Sequence, residues 1–137
     1  MIVVDTNIVV YLLVPGHLSR AAEAVFRRDS AWAAPFLWRS EFRNVLALYL
    51  RRGMLTLEEA LSTMEKAELL LQSRTYEIKS REVLRLAAES GCSAYDCEFV
   101  ALAQDLGVPL VTSDRKLAAK FKSTAIPLQE FVRPSRP

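Results

Sequence analysis

The chain has 137 residues, 51% of them hydrophobic and 25% charged, which is enough to build one domain-sized core and excludes both a disordered polymer and a second catalytic domain. A formal net charge of +2 is too small to announce a nucleic-acid binder by bulk attraction, although it says nothing of how the charge is distributed. One histidine, His17, and two cysteines, Cys92 and Cys97, make zinc sites and histidine-based triads poor readings, and the two cysteines are expected to be free thiols.

Taken in chain order, Ile2-Val3-Val4 is a short apolar run of the kind buried on both faces of a parallel sheet, and it ends at Asp5. The apolar stretch beyond it is interrupted by Asp5 and Asn7 and has no basic leading region. The expectation is therefore a short helix to Leu13 and a break at Pro15-Gly16, with no signal peptide or membrane span and a cytoplasmic location by default. Ser19 opens a helix to about Arg28, Ala31 to Ala33 reads as a strand closed by Pro35, and Leu37 to Arg52 as a helix stopped by Gly53. Thr56-Leu57-Glu58-Glu59 has the capping-box pattern and starts a helix to about Gln72, with an apolar face at positions 57, 60, 61, 64 and 67.

Thr75 to Ile78 follows as a strand, then a helix from Ser80 to Ser90 ahead of Gly91, and another from Ser93 to Leu106 ahead of Gly107. Val108 to Val111 is the next strand, Asp114 to Phe121 a short helix, and Ala125 to Leu128 a weak last strand interrupted by Pro127. Residues 1–132 form the expected domain and residues 133–137 a frayed tail. Alternating strands and helices predict a three-layer α/β/α sandwich around a parallel sheet, because each parallel crossover needs a helix-length connection. Ligands of such sheets bind beyond the carboxyl ends of the strands, so function is sought there.

Four acids break the pattern. Asp5 and Asp114 follow apolar strand runs directly or by two hydroxyl residues, where each is also a good cap for the next helix. Glu41 has Trp38, Val45 and Leu48 three, four and seven residues away, and Asp96 has Phe99, Val100 and Ala103 at the same spacings, so both acids share apolar helix faces. Asp96 also stands where a capping box with Ser93 would place it. An uncompensated acid on a core face costs several kcal/mol, so something positive is required. Hard cations such as Mg²⁺ or Mn²⁺ suit a set of carboxylate oxygens nearly free of imidazole. Arg39 and Arg43 flank Glu41, and Arg115, Lys116, Lys120 and Lys122 follow Asp114, a basic set able to hold a phosphate backbone without reading sequence. Trp32 and Trp38 are read as core or dimer-seam residues ahead of base-stacking ones.

Four segments, namely Val4-Asp5-Thr6-Asn7, Ser40-Glu41 with Asn44-Val45-Leu46, Tyr95-Asp96 with Ala101-Leu102-Ala103, and Thr112-Ser113-Asp114, occur in an order that resembles the PIN domain, especially the VapC type of toxin ribonuclease. The resemblance runs from Met1 to about Val132. It implies an RNA phosphodiesterase that depends on Mg²⁺ or Mn²⁺, an acidic metal pocket of Asp5, Glu41, Asp96 and Asp114, frequent homodimers, and a small antitoxin as partner. Thr6, Asn7, Thr112 and Ser113 match polar positions that orient acids or water. Phe99 stands where many relatives carry Tyr, and Asn7 where many carry Ser or another small residue, departures that bear on fine positioning and substrate choice. In this reading Asp5 and Asp96 hold the cation, while Glu41 and Asp114 orient water or share a second ion. A housekeeping RNA-processing nuclease, a metal-free RNA-binding module and an aspartate-based phosphatase are the alternatives. The last is disfavoured because Asn7 stands where the phosphatase pattern needs its second acid.

Overall fold

The computed structural model describes residues 1–133; the rest of the expected tail, from Pro134, lies outside the described residues. Strand β1 (Ile2–Val4) is fully buried and hands the chain at Asp5 to helix α1 (Thr6–Leu13). Helix α2 (Ser19–Arg28) leads to β2 (Trp32–Pro35), shifted by a residue or two from the expected strand because Pro35 closes it from within. Proline is tolerated in that last place because the next residue carries the ladder, the Phe36 N–H donating to Tyr76 O at 3.0 Å.

Helix α3 (Leu37–Arg51) ends as expected before Gly53, whose φ of +69° is the left-handed conformation that glycine adopts without strain. The capping box is present at the start of α4 (Leu57–Leu71): the Glu59 N–H donates to Thr56 Oγ1 (3.1 Å) and the Thr56 N–H donates to Glu59 Oε1 (3.0 Å). The packed face of α4 matches the expected one at Ala60, Met64 and Ala67 and departs from it at Leu57 and Leu61. Ala60, Ala67 and Leu71 are buried, whereas Leu57 and Leu61, in the first turns of the helix, are 63% and 56% exposed.

Strand β3 (Thr75–Tyr76) stops two residues short of the expected Ile78. Helices α5 (Ser80–Ser90) and α6 (Ala94–Leu106) then precede β4 (Leu110–Thr112), which is shifted towards the carboxyl end relative to the expected Val108–Val111. Helix α7 (Arg115–Lys120) leads to β5 (Ala125–Pro127), which completes the sheet, and Leu128, expected to end that strand, opens a short helix α8 (Leu128–Phe131) instead. Pro127 ends the ladder by its missing N–H and presets the backbone for that turn.

The five strands are all parallel, in the order β3-β2-β1-β4-β5, with Val3 in register with Ala33 on one side and Leu110 on the other. The chain winds outward from β1 to β3, then crosses back to β4. Right-handed crossovers therefore put α1 to α4 on one face and α5 to α7 on the other, giving the expected sandwich. Helix α6 lies across β1, β2 and β4, and its Cys97 and Phe99–Ala103 are buried, as a helix covered on nearly all sides requires. Trp32 and Trp38 are fully buried, with their indole N–H groups donating to Asp29 O (2.7 Å) and Thr75 Oγ1 (3.2 Å), so both serve the core. Cys92 and Cys97 are free thiols. No helix among the described residues is long and apolar enough to cross a membrane.

Candidate active site

Strands β1 and β4 are neighbours at the point where strand order reverses, and there the carboxyl ends of both point into an open cleft of about 250 Å³. Asp5 leaves β1 into the cleft and is held from several directions. Its Oδ1 accepts from the Ile8 N–H (3.2 Å), capping α1, while its Oδ2 accepts from Thr112 Oγ1 (2.5 Å) and the Ser113 N–H (3.1 Å). Burial outweighs these hydrogen bonds and, with a smaller push from the charge on Glu41, raises its pKa to about 6.

The fully buried Thr112 links two of the acids. Its hydroxyl donates to Asp5 and accepts from the Asp114 N–H at 3.0 Å. Asp114, exposed, caps α7 through Oδ1, which accepts from the N–H groups of Lys116 (2.9 Å) and Leu117 (3.1 Å). Glu41 comes from the second turn of α3 and accepts from the Thr6 hydroxyl at 2.7 Å. It lies half-buried at the border of the apolar face, beside Val45 and Leu48 in the same state, while Trp38 is fully buried. Burial raises its pKa against the Thr6 hydrogen bond, and the charges of Asp96 and Glu98 add to the rise. Asp96, in the first turn of α6, is raised by burial and then by Asp114, with the Ser93 hydroxyl acting the other way. Ser93 caps the helix by accepting from the Asp96 N–H at 3.0 Å, but the reciprocal bond of a capping box is absent among the described residues, leaving the Asp96 carboxylate facing the cleft.

The four acids thus share one cleft and feel one another in sequence, Asp5 with Glu41, Glu41 with Asp96, and Asp96 with Asp114. The ion pairs among the described residues join Met1 to Asp29 and Arg85 to Glu82 and Glu89, and none touches the four. Thr6 and Asn7 line the same cleft, whereas Thr112 and Ser113 support it from below through Asp5. The basic candidates lie elsewhere. Arg39, Arg43, Arg115, Lys116 and Lys120 are absent from the lining, and the Arg39 guanidinium rests 5.7 Å from the Phe36 ring centre and 6.0 Å from that of Trp38.

Two residues join the predicted site: Asn44, present in the sequence reading only as part of a motif, and Glu98. Asn44 lines the cleft one helical turn after Glu41, a spacing that was available to signal it. Glu98 adds negative charge near Glu41, although its position two residues after Asp96 predicts a different helix face.

The donor set fits a hard cation, being entirely oxygen and lacking any basic partner. No three acids among the described residues stand close enough to ligate one ion together. Mg²⁺ is commonly held by one or two carboxylates, with water completing its shell.

Residues 2–122 match the PIN domain. Ribonuclease VapC3 of Pyrobaculum aerophilum is 33% identical over 132 residues, spanning 92% of this chain and 98% of that protein. The crystal structure of PAE2754, also from Pyrobaculum aerophilum, superposes with a TM-score of 0.75 at 27% identity, covering 96% of this chain and 92% of the other. A toxin-antitoxin complex from Klebsiella pneumoniae contains a chain of the same fold, with a TM-score of 0.67 at 16% identity over 93% of this chain and 98% of that one.

Proposed function

This chain belongs to the PIN domain family, and from that premise we propose that it is a ribonuclease dependent on Mg²⁺ or Mn²⁺ that hydrolyses RNA phosphodiester bonds as the toxin of a toxin-antitoxin pair. The observation that carries the reading is a cleft at the switch point of the sheet lined by four acids, without a Lys, Arg or His among its described lining residues. Kinship with Ribonuclease VapC3 supports the choice of RNA, and the fold shared with a toxin-antitoxin complex supports a protein inhibitor as partner. A homodimer and a cytoplasmic location belong to the same proposal.

In this reading Asp5 and Asp96 would hold the ion, and Glu41 and Asp114 would orient water or share a second ion. A bound Mg²⁺ or Mn²⁺ supplies Lewis-acid polarisation of the phosphate and acidifies a water. The protein groups prepare the ground for this. Asp5 is fixed by Thr112, Ser113 and Ile8, so its remaining lone pairs keep one direction. Glu41 is fixed by Thr6 in the same way. Without a cation the acids repel one another and repel phosphate, so cation loading precedes productive contact with RNA.

The test is cleavage of structured and single-stranded RNA by purified protein, with Mn²⁺ and with EDTA, beside Asp96→Asn. Cleavage is expected only with Mn²⁺, and the variant is expected to lose roughly 100-fold or more while unfolding at a temperature no lower than wild type. Cleavage that survives in EDTA, or a fully active variant, would refute the assignment.

A further inference from the structure

The cleft is rich in groups that accept hydrogen bonds and poor in groups that donate them. Ionised carboxylates only accept, and the Thr6 hydroxyl already donates to Glu41 at 2.7 Å. The rest of the wall is hydrocarbon except for two amides, Asn7 from α1 and Asn44 from α3. Both residues are exposed, and neither side-chain amide has a hydrogen-bond partner among the described residues. Asn44 projects from the same side of α3 as Glu41, one turn further along.

RNA presents a row of oxygen acceptors, and a site that is to hold it in register needs donors beside the reacting linkage. A lysine or arginine in that position would pair with the acids and compete with a cation for them; a neutral amide donates without doing so. We propose that Asn44, assisted by Asn7, is a positioning residue whose carboxamide N–H donates to the sugar–phosphate backbone of RNA next to the scissile bond. This inference rests on the ribonuclease reading. Backbone contacts carry no sequence information, so the contribution is the same for RNAs of different sequence. A hydrogen bond to a charged partner corresponds to roughly 10- to 100-fold in kcat/KM.

The experiment compares wild type, Asn44→Ala and Asn44→Asp on two single-stranded RNAs of unrelated sequence in Mn²⁺, with Mn²⁺ affinity measured separately by calorimetry. Asn44→Ala is expected to lose roughly 10- to 100-fold in kcat/KM on both RNAs while binding Mn²⁺ as wild type does. Asn44→Asp keeps the shape but exchanges the donor for an anionic acceptor, so it is expected to be at least as impaired with Mn²⁺ affinity undiminished. Activity retained by the Asp variant, or a loss confined to one RNA, overturns the proposal. If wild type cleaves and both variants match it, this inference alone falls. A wild-type protein that neither binds nor cleaves either RNA in Mn²⁺ overturns the ribonuclease reading as well.

Discussion

Asp5 holds a tension that pH should expose. Its carboxyl titrates at about 6 instead of the ordinary 3.8, because burial outweighs three hydrogen bonds to the charged form. The folded state therefore binds this proton more tightly than the unfolded chain does. Stability from that source is fully present below about pH 4 and is lost as pH rises through about 6, on the order of 3 kcal/mol in metal-free protein. Asp5→Asn cannot titrate, so in EDTA the wild-type unfolding temperature should fall relative to the variant between pH 4 and 7 by several degrees. Mn²⁺ should reverse that fall above pH 6 and do little at pH 4, where protons compete for the same oxygens. Parallel pH curves for wild type and variant would remove the desolvated, metal-ready Asp5 from the account.

Three of the four acids stand at helix starts, Asp5 and Asp114 as the caps of α1 and α7 and Asp96 in the first turn of α6. Capping and site-building are compatible here because a carboxylate has more lone pairs than a cap uses: Asp114 spends Oδ1 on α7, and Asp5 spends Oδ1 on α1. The positive ends of these helices also offset part of the mutual repulsion. Ser93 is the device that sets the first turn of α6, and its removal tests how far an element's start governs the site. Ser93→Ala should cost about 1 kcal/mol in denaturant unfolding. It should also weaken Mn²⁺ binding by several-fold, since Asp96 loses both its anchored turn and the moderating hydroxyl. Undiminished Mn²⁺ affinity in a destabilised variant would limit Ser93 to a structural role.

At the scale of the whole molecule, the charged residues lining the cleft are all acids, while the basic candidates lie outside it. Arg115, Lys116 and Lys120 are exposed on α7, beyond the cleft that Asp114 lines. In the proposed ribonuclease, cations placed there would attract RNA without quenching the acids. Each phosphate contact on a single strand contributes about 0.7 to the slope of log affinity against log salt. Replacing all three with Ala should flatten that slope by up to roughly 2 while leaving Mn²⁺ affinity unchanged. An unaltered salt dependence would place the RNA path elsewhere. Leu57 and Leu61, exposed on α4, show the converse: apolar residues that helical periodicity assigned to the interior lie on the outside of the assembled sandwich.

Local chemistry in the sequence determined the elements and the order of the acids. Periodicity, the Thr56 capping box and the glycines at 53, 91 and 107 act within a few residues, so helix starts and stops were legible without knowledge of what lies across the fold. Apolar runs ending in Asp5 and Asp114 were legible for the same reason, together with the parallel sandwich that alternating elements require. Strand ends were less so, because a strand's extent depends on its neighbours: β3 ends at Tyr76 with the end of its partner β2 at Pro35, and β4 reaches Thr112 opposite Pro127 of β5. Only the tertiary structure decided that Thr112 joins Asp5 to Asp114, that Thr6 holds Glu41, that Asn44 enters the cleft and that the arginines on α3 stay out of it. Those facts depend on the register of β1 against β4 and on the rotation of α3 against α1, which are set by the packing of whole faces and carried by no single stretch of sequence.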